Sequence, residues 1–177
     1  AFFFLNEDTF RFQEFESGSF NLKLDSNRVF RDPSAWYHFV VALDTTQSTA
    51  SNRVKIYVNG VLLTSSDYST ATYPDQNHQT DWNNTTTQDI GRHDLILDGY
   101  IADVYFIDGS QLDCTSFGAF DSNGVWQAAA YSGTFGTNGF HLLDFANEAT
   151  VGNDSSGNEN DFTANNFKAV ATNYDST

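Results

Sequence analysis

The sequence predicts an all-β protein, and three observations carry that expectation. Seventeen Phe and eight Tyr stand beside two Pro and no Met in 177 residues. That composition suits half-buried pleated surfaces, and abundant Gly, Asn, Asp, Ser and Thr supply the turns between short strands. In the stretch 31–63, Tyr37, Phe39, Val41 and Leu43 share one face of an extended segment and Val40 and Ala42 the other, so this strand is expected to be central and buried on both sides. Val54, Ile56 and Val58 then alternate with Lys55 and Tyr57 up to Asn59-Gly60, and the chain returns through Val61 and Leu63. Asn-Gly best tolerates the positive φ that a tight hairpin needs at both central positions.

The other elements follow in chain order. Phe10-Arg11-Phe12 and Phe20-Asn21-Leu22-Lys23-Leu24 alternate with period two, predicting two strands joined at Ser17-Gly18-Ser19. Residues 65–89 read as a long polar connection, a length that compact domains reserve for a self-packed excursion or a ligand-facing loop. Ile90-Gly91-Arg92 and an apolar strand over 100–107 come next. Residues 113–117 form the one short helical turn, N-capped by Asp113 and ended by a left-handed Gly118. Glycine turns at 121–124, 132–133 and 136–139 then divide short aromatic strands, the last with Phe140, Leu142 and Asp144 on one face and Leu143 and Phe145 on the other.

Length, charge and cysteine content bound the function. A chain of this size suits one domain that buries roughly 70% of its unfolded surface, here residues 1–170, with 171–177 as a linker or tail. Eight basic against 23 acidic side chains give a formal charge of −15, which disfavours nucleic acid and anionic membranes as partners. No window approaches the ~20 apolar residues of a membrane span. The single Cys114 excludes an intrachain disulfide.

The phrases RDPSAWYHFVVALDTTQ, the VKIYVNG hairpin at 54–60, Ile90-Gly91-Arg92 and DGYIADVYFIDG at 98–109 together resemble the laminin G-like and pentraxin group of concanavalin A-like sandwiches. With YIADVYFIDGSQLD, YSGTFGTNGF and DSSGNENDF added, residues 31–162 are similar to the version of this domain in tail-fibre and other virion proteins of bacteriophages. The resemblance implies a two-sheet antiparallel jelly-roll sandwich whose first strands are missing before residue 1. It implies a location on the virion surface, outside the cell, and a non-enzymatic module of a phage appendage adhering to host-surface glycan. The alternative is a structural subunit contacting other virion proteins. Either setting implies a homo-oligomer, a trimer in a fibre. Family members often carry Pro where Cys114 stands, so Cys114 reads as a neutral substitution.

Candidate site residues are few. Tyr68, Tyr73 and Trp82 are available in the 65–89 connection as flat platforms for sugar rings, with Asp81 and Asn83 to fix hydroxyls. Glucanases built on this sandwich place two carboxyls about 5 Å apart on one strand face for a retaining mechanism. Of Glu7, Glu14, Glu16, Glu148 and Glu159 only Glu14 and Glu16 share a strand face, and that pair reads as a solvated edge. His38, His78, His93 and His141 are scattered without metal spacing, His38 as a hydrogen-bonded core residue, and no catalytic triad can be nominated. Calcium is the one cofactor the loops suggest: Asp154, Ser156, Asn158 and Asn160 alternate as in a calcium loop beside Asp161, against an Asn/Gly turn that caps its own backbone. Asp103, inside an apolar strand, requires a partner if buried, with Arg92 or His93 the candidates.

Overall fold

A computed structural model describes residues 2–5, 7–32, 34–84, 87–91, 99–143, 145, 147 and 149–165. The chain divides into two compact units, one formed by Ala1–Gln88 with Ser110–Ser132 and the other by Asp89–Gly109 with Gly133–Thr177. Its described elements are mostly short antiparallel strands, as the composition predicts. Asp98, Asp144 and the tail 171–177 lie outside the described residues.

The first unit is a two-layer antiparallel sandwich. Strands β1 (Phe2–Phe4), β2 (Phe10–Glu16), β3 (Ser19–Ser26), β4 (Phe39–Leu43), β5 (Val54–Val58), β6 (Val61–Leu62) and β7 (Tyr68–Thr72) follow in sequence, with a helical turn α1 (Ala50–Arg53) before β5. One sheet has the order β1-β2-β3-β7 and the other β4-β5-β6. Phe10, Phe12, Leu22 and Leu24 from the first face Val54, Ile56 and Val58 from the second in one buried cluster. Each such side chain contributes about 1.5–3 kcal/mol by leaving water. Phe2, Phe30 and Phe39 ring Phe10 with centroids 5.2 to 5.9 Å away.

Both predicted turns form. Asn59 and Gly60 take φ of 47° and 76°, and the Asn59 Oδ1 accepts the His38 N–H at 2.8 Å. Ser17 and Gly18, also at positive φ, join β2 to β3.

Four expectations are corrected. Strand β4 lies at one end of its sheet order among the described residues, yet Val40 and Ala42 are buried. Their face is covered by the segment around 111–126: Gln111 Nε2 donates to the Ala42 carbonyl, Cys114 Sγ to that of Gly60 and Trp126 Nε1 to His38 Nδ1. The polar connection 65–89 contains β7, whose backbone pairs with β3 although Tyr68 is its only buried residue; an edge strand stabilised by backbone hydrogen bonds leaves no hydrophobic period. The turn at Cys114–Ser116, capped by Asp113 as expected, is one of several: α1 and 3-10 turns at Ser65–Asp67 and Asp81–Asn83 accompany it. Gly118 is not left-handed but opens β9 (Gly118–Phe120), which pairs with β10 (Trp126–Ala128), and it is glycine because the Trp126 ring and the Gln127 carbonyl occupy the space of a Cβ.

Phe20 also departs from its alternation. A bulge between Glu14 and Phe15 sets Phe20 opposite Phe15, because an extra residue re-aims the side chains beyond it. The two rings meet at 4.8 Å, 55% and 38% exposed for Phe15 and Phe20.

The second unit is built on β8 (Val104–Phe106) and β11 (Phe140–Leu142), paired antiparallel. Phe106 and Phe140 stack at 5.5 Å, Phe162 meets Phe140 at 4.8 Å, and Leu142 is buried. The strand expected over 100–107 is shortened to β8 because Asp103 has φ 51°, outside the extended region. Tyr100 is 85% exposed.

Candidate functional site

The connection 73–84 does not present the expected platforms. Tyr68 is buried on the inner side of β7, and burial, reinforced by the charges of Tyr73 and Asp67, holds its phenol well above its ordinary pKa. Tyr73 packs against the core, and burial raises its pKa too. The Trp82 ring lies 4.6 Å from Phe12, and its indole N–H is buried with no acceptor among the described residues. Aromatic rings spaced along a polar chain carry no local mark of burial, and burying them stabilises the open end of the core. Asp81 and Asn83 remain exposed, but Asp81 is tied into the turn by the Asn84 amide at 2.6 Å and by Gln88 Nε2 on its carbonyl.

The residue that holds this connection is Glu14, which is no solvated edge. It follows Phe10 and Phe12 on the core face of β2 and is 5% exposed. Its Oε2 lies 2.8 Å from His78 Nε2, and its Oε1 accepts the Asp81 N–H at 2.7 Å. Period two alone would have placed Glu14 inward; only the fold brings His78 to it. His38 behaves as expected: its Nδ1 accepts from Trp126, and burial holds its pKa below the ordinary value. Cys114 is buried, and burial together with the Asp113 charge pushes its thiol up, so it is neutral and packs as a small hydrophobe.

An open depression of about 510 Å³ lies in the second unit, lined by Gly133, Thr134, Phe135, Gly136, Thr137, Ser156 and Asn158. Its rim is braced from both sides. The Phe135 carbonyl accepts the Asp108 N–H at 2.8 Å, and Asp108 Oδ2 accepts the Asn138 backbone and side-chain N–H groups at 3.1 Å each. Gly136 has φ 75° with Asp108 against its Cα, so no side chain fits there. Asn158 Nδ2 donates to the carbonyls of Gly136 and Gly139 at 2.7 and 2.9 Å, and Asn160 Nδ2 to those of Thr137 and Gly139 at 3.1 and 2.9 Å. The volume is within the range of ligand clefts, roughly 300–1,000 Å³. Hydroxyls, an amide, glycine backbone and one aromatic ring line it, and none of these residues carries a charge.

In the 154–161 loop the five residues that offered calcium ligands are engaged as the alternative Asn/Gly turn. Asp154 Oδ1 accepts the backbone N–H groups of His141 and Ser156, and Oδ2 accepts the Ser156 hydroxyl and the Asn160 N–H. Asp161 Oδ1 accepts the Asp154 N–H at 2.8 Å, and the Ser156 hydroxyl oxygen accepts from Asn158. The oxygens of Asp154, Ser156 and Asp161 are thus turned onto N–H and O–H donors, and Asn158 and Asn160 turn their Nδ2 groups onto carbonyls, the pattern of a turn that caps its own backbone. Among the described residues no group of three or more His, Cys, Asp or Glu is placed to hold a metal. Burial would raise the Asp154 pKa, but these donors from His141, Ser156 and Asn160 outweigh it and hold the carboxyl below its ordinary value.

Asp103 finds a partner that the sequence did not nominate: His141 Nε2 at 3.1 Å, with the Asp103 side chain 54% exposed. Arg92 and His93, the candidates from sequence, lie outside the described residues.

Searches of curated proteins and of solved structures return no match. Residues 1–112 match the model of the Laminin_G_3 family, described as the concanavalin A-like lectin/glucanases superfamily. The match takes in the four-stranded and three-stranded sheets of the first unit and β8 of the second, and it ends before β9, β10 and the residues that line the depression. With its antiparallel sandwich and most of its length covered, the chain belongs to the concanavalin A-like lectin/glucanases superfamily.

Proposed function

We propose that this protein is a non-enzymatic carbohydrate-binding module and that its glycan site is the depression lined by Gly133–Thr137, Ser156 and Asn158. The uncharged lining carries the proposal. Neutral sugars offer hydroxyls to side chains such as Thr134 and Thr137, and an apolar ring face to an aromatic such as Phe135. Membership of a superfamily that includes lectins supports it. The non-enzymatic part draws on Glu14, the buried glutamate of the sheet faces: its two oxygens are already bonded to His78 and the Asp81 N–H, so it is held as a structural carboxylate and not as one half of a glycosidase pair. The phage-like phrases over 31–162 support a setting on a virion surface facing a host glycan. A glycan array probed with the purified chain tests the reading; binding that Phe135→Ala abolishes is expected, and a blank array at high protein concentration would overturn it.

A second reading, a virion subunit held by protein contacts, draws on the exposed Phe15–Phe20 pair. A homo-oligomer joined there would dissociate in a Phe15→Ser/Phe20→Ser variant, which sedimentation would detect.

A further inference from the structure

Three parallel rings adjoin the depression. Tyr105 and His141 are cross-strand partners of β8 and β11 and stack at 4.2 Å with 13° between planes. Phe135, which lines the depression, lies 6.1 Å from His141 and 6.3 Å from Tyr105, within 10° and 11° of their planes. Asp103 stands at the ring edge of His141, one oxygen on its Nε2, with the His141 side chain 13% and the Asp103 side chain 54% exposed.

The backbone of Asp103 is what makes this arrangement informative. Its φ of 51° is a left-handed conformation that costs a side-chain-bearing residue of order one kcal/mol or more and is favoured by glycine. Such outliers persist where the surroundings enforce them, and they concentrate at functional positions. Here the left-handed residue immediately precedes β8 and turns a carboxylate onto His141 while leaving it open to solvent. A carboxylate beside aromatic rings can accept two hydrogen bonds from adjacent sugar hydroxyls, which charge strengthens relative to neutral acceptors.

We infer that the binding site runs from the depression along Phe135, His141 and Tyr105 to Asp103, and that it takes a neutral oligosaccharide of at least two rings, with Asp103 as hydroxyl acceptor. The inference rests on the glycan reading of the depression. His141 is a positioning residue, since it acts by holding the Asp103 carboxylate and the plane of the stack.

The test is affinity electrophoresis of the intact protein through gels cast with laminarin, yeast mannan or dextran, followed by competition with matching mono- and tetrasaccharides. Asp103→Gly is the decisive variant, because glycine accepts the left-handed backbone and should keep the melting temperature at or above that of the wild type. The expected result is retardation in at least one gel, tenfold or more weaker in Asp103→Gly, lost in Phe135→Ala, and competed at least tenfold better by the tetrasaccharide. Retardation lost in Phe135→Ala but unchanged in a folded Asp103→Gly would overturn the extension and leave the depression as the site. Equal competition by the monosaccharide would likewise overturn it. Migration unretarded in all three gels would overturn both the extension and the glycan reading.

Discussion

Glu14 and His78, 64 residues apart in sequence, meet at 2.8 Å with Glu14 almost wholly out of water. The contact ties β2 to the connection that lays Trp82 over Phe12. A single carboxylate thereby closes one end of the core.

Removing that carboxylate leaves a part-buried imidazole and a backbone N–H without their acceptor. Glu14→Ala is expected to lose about 1–3 kcal/mol, the range for leaving such groups unpaired. Glu14→Gln, which keeps an acceptor oxygen, should lose less. Urea unfolding followed by Trp fluorescence measures both, and an alanine variant within 0.5 kcal/mol of wild type would show that the pair does not hold the connection.

Gly60 meets two demands together, a φ of 76° and the Trp126 ring against its Cα. Gly60→Ala should cost about 2–5 kcal/mol, adding the left-handed penalty to overpacking. Gly118→Ala faces the ring and the Gln127 carbonyl without a positive φ and should cost about 1–3 kcal/mol. Adding Trp126→Leu should recover part of each loss in a double-mutant cycle; no recovery would mean that the ring is not the obstacle.

His38 sets a pH dependence. Burial lowers its folded pKa below the ordinary value of 6.5, so below that pH the unfolded chain binds the proton more readily than the folded one. Its stabilisation is present above pH 6.5 and is lost as pH falls through the folded value, when protonation also removes the acceptor for Trp126. Denaturant midpoints at pH 7.5, 6.5 and 5.5 should fall in that order. His38→Gln should flatten the slope, and an unchanged slope would assign it to other groups.

Asp154 acts at lower pH. Its folded pKa is depressed from 3.8 by its hydrogen-bond donors, so its contribution is present above about pH 4 and is lost as pH falls through the folded value. Asp154→Ala should destabilise the second unit by about 1 kcal/mol by leaving part-buried N–H groups without their acceptor. Amide exchange of His141, Ser156 and Asn160 should accelerate in that variant; unchanged protection would show that Asp154 is not their anchor.

Calcium should leave stability unchanged. Thermal melts in EDTA and in millimolar calcium chloride are expected to agree within a degree, because the 154–161 oxygens already accept protein donors. A rise of several degrees with calcium that Asp154→Ala abolishes would reinstate the ion.

Local patterns in the chain made much of the fold legible. Period-two alternation located β2, β3 and β5, Asn59-Gly60 and Ser17-Gly18 located two turns, and Asp113 marked a helical turn, because each reports a preference of neighbouring residues. The 154–161 loop was legible as a place of interest but not as what it is, since its hydrogen-bond partners at 136–141 lie outside any local window.

Partnership is what tertiary structure added. Glu14 could be read as inward from its alternation, but only folding supplies His78. Phe20 leaves its predicted face because of a bulge set by the pairing of two strands. Tyr68, Tyr73 and Trp82 are polar-loop aromatics by sequence and core residues in the fold, while the depression arises where 133–137 meets 156–158. Backbone preference is a property of adjacent residues and can be read along the chain; burial, pairing and the approach of distant side chains depend on the summed free energy of contacts that exist only once the chain has folded.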